Sequence, residues 1–542
     1  MEKIVTVAEM QAVEREANEH GLSYAQMMEN AGQGVADHIR RLYDRMKTHS
    51  VIALVGSGNN GGDALVALSY LVQWGWKATA YIVRPRSGDD ALIARLVDMG
   101  GEVINQEQDP GYITLRRILS QCEVLVDGVL GTGTRLPLKP EIALTLGFVQ
   151  DGLAGMEKRP VVVAVDCPSG VDCDTGEAAQ ETIPADLTIT MAAIKIGNLS
   201  FPTAQLTGEI RVVKIGDLGT IESWNKINRH IIEEEDVKKL LPPRPRDAHK
   251  GTFGVALIVG GSVNYTGAVL LAAKAAFRVG AGWVTIAAPE PVHTALAGSF
   301  LEATWILLPH EMGVIHKDAA KLLLNNVGRA TAILIGPGLG LENTTGEFIN
   351  SFICSPAVKE KSGIGFVTKT SVEKSQEKFG LPALVFDADG LKLLARIDDW
   401  HTFLPAQSIL TPHPGEMAVL TGIDRGQIQA NRMEIAEKFA HLWGHVVVLK
   451  GPFTIIAGPD GRTAMIPVAT SALARAGTGD VLAGLITGLR AQGVAAFESA
   501  VTGAWIHAYA GLEAAEKIGN SASVLAGDVL QSSITVLSRL YK

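Results

Sequence analysis

The stretch SVIALVGSGNNGGDALVALSYLVQWG, residues 50–75, carries the clearest fold signal in the chain. A β-branched run at 50–55 meets a Gly- and Asn-rich loop at 56–62, and a helical run follows at 63–74, which predicts a βα unit. Further strand patterns follow this unit along the chain, at 78–83, 123–133, 160–172, 185–195 and near 212–215. Continuous apolar strands that alternate with helices are typical of a parallel sheet covered on both faces. We therefore expect a doubly wound α/β domain.

A second α/β region begins with strand, glycine loop, helix and strand at 252–290. Later segments predict strands at 331–335, 383–387, 446–449 and 453–457, and helices at 478–490 and 495–518. The charged segment 216–250, which contains three prolines, interrupts the pattern. We expect one domain over residues 1–222 and a second over residues 228–542.

Composition narrows the possible functions. The 542 residues carry a net charge of −9 without a long basic run, so we expect no nucleic-acid partner. The most apolar long segment, 266–288, contains Lys274 and Arg278, and we expect a core helix and a strand there, not a membrane span. The charged N-terminus predicts no secretory signal, and four cysteines without metal-ligand spacing favour a reducing, cytoplasmic location.

Three glycine-rich loops of the first half follow predicted strands: GSGNNGGD (56–63), DGVLGTGTRLP (127–137) and DCPSGVD (166–172). Ligands of open α/β sheets bind at the carboxyl ends of the strands. Glycine and asparagine permit a close backbone approach to a ligand, and the first loop has neither a Walker A lysine nor a correct GxGxxG spacing. We expect the three loops to converge on one crevice.

The second half contains AGTGDVLAGLITG, residues 476–488, where a glycine loop opens onto a helix. Free N–H groups and the helix dipole suit a phosphate there, yet Asp480 is an acid that could repel an anion, bind a metal or accept a proton. KGPFT (450–454) follows a strand and would place Lys450 near a nucleotide phosphate or ribose. At least one of Asp387 and Asp389 in FDADG is expected only to hold a turn.

The first half resembles the YjeF N-terminal family of NAD(P)H-hydrate epimerases over residues 1–220, through MMENAG (27–32), the three loops above and ADLTITMAAIKIG (185–197). The resemblance implies a Rossmann-like fold that acts on NADHX and NADPHX, the hydrated forms of the reduced cofactors. It implies substrate contacts from Asn59, Asn60, Gly61, Gly62, Asp63, Gly131, Thr132, Gly133, Thr134, Arg135, Leu136, Pro137 and Asp166, and a potassium ion held by Asn60, Asp127 and Ser169. Asp166 is the expected acid/base and Lys195 a second candidate, although an exposed, solvated lysine is equally expected.

The second half, residues 230–542, resembles the YjeF C-terminal family of ADP- or ATP-dependent NAD(P)H-hydrate dehydratases, which have a ribokinase-like α/β fold. HKGTFGVALIVGGSVNYTGA (249–268), GPGLG (336–340), FDADG, TPHPGEM (411–417), KGPFT and AGTGD occur in the family's order. The resemblance implies substrate contacts from Ala268, Gly340, His413 and Asp480. It implies nucleotide contacts from Lys450, Gly451, Pro452, Phe453, Thr454, Ser471, Gly477, Thr478 and Gly479, with ADP as co-substrate, magnesium present and Asp480 as the base.

Together the halves resemble a bifunctional NAD(P)H-hydrate repair enzyme, and such enzymes are expected to form homo-oligomers such as tetramers or octamers. Two alternatives remain open at this point. A vitamin kinase of the ribokinase-like group would use the GTGD segment equally well, although such kinases tend to have Asn where this chain has His413. A non-catalytic scaffold with a decayed first domain is the other, and the retention of Asn60, Asp127, Asp166 and Ser169 argues against it.

Overall fold

The computed structural model describes residues 1–354 and 381–542, which form two compact units. Glu2–His230 make up the first unit, and Ile231–Lys542 with Met1 make up the second. Residues 223–227, which we expected to lie between the two domains, belong to the first unit. Helix Glu222–Lys226 is bound to the N-terminal helix, because the Glu16 carboxylate accepts hydrogen bonds from the backbone N–H groups of Glu222 (2.8 Å) and Ser223 (2.9 Å).

The first unit alternates strands and helices. Its strands are β1 (Ile4–Val5), β2 (Ser50–Val55), β3 (Lys77–Ile82), β4 (Glu102–Asn105), β5 (Val124–Gly128), β6 (Val161–Val165), β7 (Leu187–Met191), β8 (Ile194–Lys195) and β9 (Glu209–Val213). Its helices are α1 (Val7–Glu19), α2 (Tyr24–Tyr43), α3 (Asn59–Gln73), α4 (Ala91–Asp98), α5 (Ile113–Leu119), α6 (Pro140–Ala154) and α7 (Glu222–Lys226).

Seven of these strands form one parallel sheet in the order β4-β3-β2-β5-β6-β7-β9. The strand order reverses between β2 and β5, and this switch point is where doubly wound sheets open a crevice at the carboxyl ends of their strands. The central strands are buried on both faces, as their continuous β-branched sequences predict. The predicted doubly wound, Rossmann-like sheet is confirmed.

The second unit contains a larger sheet. Its strands are β10 (Arg229–Ile231), β11 (Val255–Val259), β12 (Trp283–Pro289), β13 (Thr304–Leu308), β14 (His310–Glu311), β15 (Val314–Ile315), β16 (Ala332–Ile335), β17 (Ala383–Phe386), β18 (Ile409–Leu410), β19 (Val446–Leu449), β20 (Ile455–Ala457) and β21 (Thr463–Met465). Its helices are α8 (Glu234–Leu240), α9 (Thr266–Arg278), α10 (Glu290–Leu296), α11 (Ala319–Asn326), α12 (Asn343–Cys354), α13 (Asp389–Leu394), α14 (Pro414–Thr421), α15 (Arg425–Ala430), α16 (Arg432–Trp443), α17 (Thr478–Ala491), α18 (Ala496–Ile518) and α19 (Ala526–Leu540).

This sheet has the order β10-β21-β20-β19-β18-β17-β16-β11-β12-β13, and the division between the two units falls within its edge strand β10. The pairs from β19 to β13 are all parallel, whereas β20 and β21 add an antiparallel hairpin. The order reverses between β11 and β16. The loops after β16, β17, β18 and β19 therefore lie side by side along one edge of the sheet, and the α/β class predicted for this half is confirmed.

One local prediction is wrong. Residues 59–62, expected in a loop, form the first turn of α3, which begins at Asn59 after Gly58. This early start depends on Gly61, because a Cβ there would lie 2.1 Å from the carbonyl oxygen of Gly56. In a separate observation, none of the helices in the described residues has the length and apolar character needed to span a membrane.

Candidate active sites

The first site is built around Asp127 at the carboxyl end of β5. Its carboxylate is fully buried and accepts hydrogen bonds from the backbone N–H of Ser169 (2.8 Å) and the Ser169 hydroxyl (2.5 Å). The Ser169 hydroxyl oxygen in turn accepts from the Leu130 N–H (2.8 Å), and the Asn60 side-chain amide donates to the Leu130 carbonyl oxygen (2.7 Å). Burial raises the pKa of Asp127. The structure thus brings together Asn60, Asp127 and Ser169, which lie on three different sequence segments.

The first turn of α3 places the NNGGD residues beside this cluster. Asn60, Gly61 and Gly62 are buried, whereas Asn59 is exposed. A Cβ at Gly62 would lie 2.7 Å from the sulfur of Met28 on α2, so this turn packs closely against its neighbour. Glycine at both positions therefore lets α3 start directly at the carboxyl end of β2.

The GTGTRLP loop after β5 forms one rim of the switch point. Both the backbone N–H (3.1 Å) and the hydroxyl (2.9 Å) of Thr134 donate to the Gly131 carbonyl oxygen, which closes a tight turn. Thr134 is buried in that turn, so its hydroxyl is already engaged. The remaining residues are exposed or half-buried and present their backbone and side chains outward: Gly131, Thr132, Gly133, Arg135, Leu136 and Pro137.

Asp166 and Lys195 form a buried ion pair at the ends of β6 and β8. Lys195 is only 1% exposed, so the expectation of a solvated lysine is wrong for this residue. Its ammonium group donates to the Asp166 carboxylate, to the Thr190 hydroxyl (3.1 Å) and to the Met191 carbonyl oxygen (3.0 Å). Within the described part of the chain, every hydrogen bond to the Asp166 carboxylate ends on its Oδ1 atom, which leaves Oδ2 for a further partner.

Two more carboxyl groups face this pair. Burial, followed by the charges of Asp166 and Glu14, raises the pKa of Asp63 well above its ordinary value. Burial also raises the pKa of Glu14, on which the charges of Lys195 and Asp166 act in opposite directions. Sequence inspection missed Glu14. The available signal was its position one residue after Val13, on the face of α1 that is buried.

The second site is centred on Lys450, directly after β19. Its ammonium group contacts the Asp387 carboxylate at 2.6 Å and the Glu416 carboxylate at 3.5 Å. Burial opposes the charged form, but the two carboxylates outweigh it and raise the pKa of Lys450. Asp387 also accepts a bond from the Thr411 hydroxyl (2.7 Å). Asp387 is therefore an ion-pair partner of Lys450 and not merely a turn residue, and Glu416 is a member of the site that the sequence did not single out.

His413 caps the N-terminus of α14. Its Nδ1 atom accepts hydrogen bonds from the backbone N–H groups of Gly415 (3.0 Å) and Glu416 (3.1 Å), and its Nε2 atom lies 3.3 Å from the Glu416 carboxylate. Burial and the nearby charge of Lys450 lower the pKa of His413 to about 4, so the ring is neutral at pH 7. The side chain is about half exposed, and a ligand can approach its outer face.

Asp480 lies in the first turn of α17, beside the Lys450–Asp387 pair. A Cβ at the preceding residue, Gly479, would lie 3.6 Å from the Lys450 ammonium nitrogen and 3.9 Å from a carboxylate oxygen of Asp387. Burial, with the charge of Asp387 adding to it and that of Lys450 opposing it, raises the pKa of Asp480 to about 7. A carboxyl group with this pKa can accept and release a proton near neutral pH.

The loop that leads into α17 is held by its own side chains. The Thr478 hydroxyl is bonded to the carbonyl oxygens of Leu473 and Arg475, both at 2.8 Å, and Gly477 has a φ of +91°. The Ser471 hydroxyl contacts that of Ser521 (2.8 Å), and the Arg475 guanidinium donates to the Ala522 carbonyl oxygen. Arg475 is therefore engaged with a neighbouring loop in this structure.

The remaining predicted substrate positions lie at the loops after β11 and β16. Gly340 donates its N–H to the Asp389 carboxylate (3.2 Å), which also pairs with Lys392 (3.0 Å). A Cβ at Gly338 would lie 3.1 Å from the Cβ of Ala268, so the GPGLG loop packs against the first turn of α9. Asp389 fixes this loop, in keeping with the structural role expected for one of the two FDADG acids.

Both sites contain oxygen donors suited to hard cations. Asp127, Ser169, Asn60 and the Leu130 carbonyl offer neutral and anionic oxygens within one bonded network, the donor type that hard cations prefer. Within residues 1–354 and 381–542, no group of three or more His, Cys, Asp or Glu side chains surrounds a common metal position. Magnesium does not require such a group, since one or two carboxylates plus substrate phosphates commonly hold it.

Each unit is thus an α/β unit with a wholly or mainly parallel sheet and buried acids at the carboxyl ends of its strands, the construction of α/β enzymes that bind small ligands. Residues 24–197 match the family model for the YjeF-related protein N-terminus, and residues 256–534 match that for NAD(P)H-hydrate dehydratase. The chain is 34% identical to the bifunctional NAD(P)H-hydrate repair enzymes of Moorella thermoacetica and Salinibacter ruber. The alignment with the Moorella enzyme covers 99% of this chain and 97% of that relative, and the alignment with the Salinibacter enzyme covers 97% of this chain and 94% of that relative.

The chain belongs to the bifunctional NAD(P)H-hydrate repair enzyme family. Among solved structures, an ADP/ATP-dependent NAD(P)H-hydrate dehydratase from Bacillus subtilis, co-crystallised with ATP and Mg²⁺, is 29% identical to it. That likeness covers 57% of this chain and 97% of the solved chain, with a TM-score of 0.46.

Proposed function

We propose that this chain repairs hydrated nicotinamide cofactors through two activities. The first unit interconverts the R and S forms of NADHX and NADPHX. The second dehydrates the S form to NADH or NADPH with ADP as co-substrate, and it releases AMP and phosphate. The observation that carries the proposal is Asp480, a carboxyl group with a pKa of about 7 at the N-terminus of α17, beside the largely buried Lys450 that two carboxylates hold in place.

Epimerisation exploits the hydroxyl group on the ring carbon next to nitrogen. The nitrogen lone pair expels this oxygen, and the resulting iminium-like carbon accepts water on either face. The departing oxygen needs a proton and the incoming water must lose one, so the site requires an acid/base group and an anionic surround. Asp166 is proposed as that group, with its Oδ2 atom towards the ring. Lys195 binds the other carboxylate oxygen and fixes the orientation of the Asp166 side chain.

The loops of the first unit are proposed to hold the rest of the substrate. Asn59 to Asp63 at the start of α3 and Gly131 to Pro137 after β5 border the switch point of the sheet. A helix N-terminus of this kind favours an anion such as the cofactor's phosphates. Asn60, Asp127 and Ser169 would hold potassium, whose charge would offset that of the buried Asp127 carboxylate.

Dehydration begins when Asp480 removes the proton of the substrate hydroxyl. The oxygen attacks the β-phosphorus of ADP, a new P–O bond forms, and AMP leaves with the electrons of the broken bond. The ring nitrogen then expels the phosphorylated oxygen as phosphate, and the adjacent ring carbon loses a proton to restore the reduced nicotinamide. His413, Gly340 and Ala268 are proposed to contact the hydrate, with His413 acting as a neutral donor or acceptor.

The nucleotide is proposed to lie across the two loops that flank Asp480. One is formed by Lys450, Gly451, Pro452, Phe453 and Thr454, and the other contributes Ser471, Gly477, Thr478 and Gly479. Phosphoryl transfer depends on positioning and on neutralising phosphate charge, which the N-terminus of α17 supports. Magnesium would supply further neutralisation, with Asp387, Glu416 and Asp480 as the carboxylates nearest to Lys450.

Incubation of the purified chain with the S hydrate and ADP tests the dehydratase proposal. We expect NADH absorbance to rise while AMP and phosphate appear in equal amounts. A vitamin-kinase activity would instead phosphorylate an alcohol without any gain of NADH. If neither the hydrate is consumed nor NADH formed, the proposed function is wrong.

We further propose that the chain works in the cytoplasm as a homo-oligomer, a tetramer or an octamer. The four cysteines support the first part, because the structure leaves all of them as free thiols, as a reducing compartment requires. Light scattering on the purified protein measures the second part directly. A monomer at assay concentration would contradict it.

A further inference from the structure

Arg432, the first residue of α16, carries a positive charge that no predicted role uses. Its guanidinium donates to the backbone carbonyl oxygens of Pro452 and Leu449, the latter at 3.1 Å. Its Nε atom is buried without a partner among the described residues. Burial alone lowers the pKa of this guanidinium to about 10, because no carboxylate of the described residues lies close enough to oppose the shift. Buried cations normally have such a carboxylate.

The two carbonyl groups that Arg432 binds lie on either side of Lys450 and Gly451. A third carbonyl in this loop, that of Gly451, accepts from the Thr454 hydroxyl (2.9 Å). Thus three of the four carbonyl groups from Leu449 to Pro452 are engaged by donors of the protein itself. Gly451 also packs against the guanidinium, since a Cβ there would lie 2.9 Å from an Arg432 nitrogen.

Of the backbone N–H groups in the same loop, two are hydrogen-bonded within the described residues and two are not. The Lys450 N–H donates to the Pro412 carbonyl and the Phe453 N–H to the Val468 carbonyl, both at 2.9 Å, whereas Pro452 has no N–H. The N–H groups of Gly451 and Thr454 have no acceptor among the described residues. With three of its carbonyl groups occupied and the N–H groups of Gly451 and Thr454 free, the loop presents positive dipole ends to a ligand, and oriented backbone N–H groups of this kind attract anions.

We propose that Arg432 is a positioning residue of the nucleotide site. By binding the carbonyl groups of Leu449 and Pro452, it turns the free N–H groups of Gly451 and Thr454 towards a phosphate of the nucleoside diphosphate. The inference rests on the proposed function, since it takes this loop as part of the ADP site. The guanidinium itself stays behind the loop, and its uncompensated charge adds to the attraction for the anion.

Arg432→Met and Arg432→Lys, compared with Lys438→Met, test this role. Lys438 is an exposed cation on the same helix, so its removal controls for the loss of one positive charge. The measurements are the KM for ADP, the KM for the S hydrate, kcat, calorimetric binding of ADP and the melting temperature without nucleotide. We expect Arg432→Met to weaken ADP binding about 10- to 100-fold, because it removes hydrogen bonds from a charged donor that position the loop. The KM for the hydrate should change less than about twofold.

Arg432→Lys should recover part of the ADP affinity, because an ammonium group can reach one carbonyl but not both. A purely structural role would lower the melting temperature and the active fraction of all Arg432 variants while the KM for ADP stayed at the wild-type value, and that result would overturn the proposal. Calorimetry keeps the test independent of the reaction. If the wild-type chain binds ADP but does not dehydrate the hydrate, the proposed function fails, while unequal ADP binding by wild type and Arg432→Lys still supports this inference.

Discussion

Replacement of Asp480 by Asn should abolish dehydration while the protein stays folded and continues to bind ADP. The change removes the carboxylate that accepts the substrate proton but keeps the size of the side chain. Loss of a general base costs about 10²- to 10⁴-fold in rate, and we expect a decrease of kcat in that range. Epimerisation should continue at the wild-type rate, because Asp166 and Lys195 lie in the other compact unit.

The same residue makes two pH-dependent predictions. With a pKa of about 7, roughly one tenth of the Asp480 side chains are ionised at pH 6 and roughly nine tenths at pH 8, so dehydration should rise steeply over this interval. The folded state also binds this proton more tightly than the unfolded chain, where the ordinary pKa is 3.8. Ionisation of Asp480 therefore destabilises the fold as pH rises from about 4 to 7. The difference between the two pKa values lowers the free energy of unfolding by at most about 4 kcal/mol above pH 7.

Asp480→Asn removes that penalty, so its melting temperature should exceed that of the wild type at pH 8, and the two should converge near pH 4. NADH formation from the S hydrate, measured from pH 5.5 to 8.5, and thermal melts over pH 4 to 8 provide the data. Asp398→Asn, at an exposed carboxylate of the same unit, is the control for a general charge effect. A dehydration rate in Asp480→Asn equal to that of the wild type, or a wild-type rate independent of pH from 6 to 8, would refute the assignment of the base.

Further predictions concern the buried charged residues of the two sites. Asp166→Asn should reduce R-to-S interconversion about 10²- to 10⁴-fold and leave dehydration of the S hydrate intact, as chiral separation of the hydrates would show; an unchanged rate would remove Asp166 from the mechanism. Lys195→Met leaves a buried carboxylate unpaired, so urea unfolding should show a loss of about 3–5 kcal/mol, and a loss below 1 kcal/mol would contradict the buried pair. Asp127→Asn should abolish any potassium dependence of epimerisation, and persistent dependence would place the ion elsewhere. Lys450→Met should weaken ADP binding and destabilise the fold through the unpaired Asp387, whereas unaltered calorimetry and melts would exclude that role.

The sequence predicted much of the fold because the strands are buried on both faces. Long β-branched runs such as 50–55 and 446–449 leave little ambiguity, and their order with the helices specifies a parallel sheet. Once the strands are placed, the residues that follow them are predicted to meet at one edge. This is why Asp127, Asp166 and Lys450 could be selected as candidate site residues from the sequence.

Contacts between side chains from distant segments could not be predicted from the sequence pattern. Asp387 and Lys450 are separated by 63 positions, and only the adjacency of β17, β18 and β19 brings their side chains together. For Lys195 the sequence left a catalytic and a solvated side chain equally open, because nothing local reveals the Asp166 carboxylate beside it. The start of α3 at Asn59 was also missed, since glycine and asparagine predict a loop unless the tight packing of Gly61 on Gly56 is known.

Conversion of the pure R hydrate tests most directly the claim that both repair activities reside on this one chain. Rapid conversion of the R form into NADH requires both sites, so the wild-type chain with ADP should consume it completely, faster than the hydrate epimerises without protein. Asp480→Asn should accumulate the S hydrate, and Asp166→Asn should leave the R form at its spontaneous rate of conversion. Persistence of the R hydrate with the wild-type chain, while the S hydrate is dehydrated normally, would contradict the account.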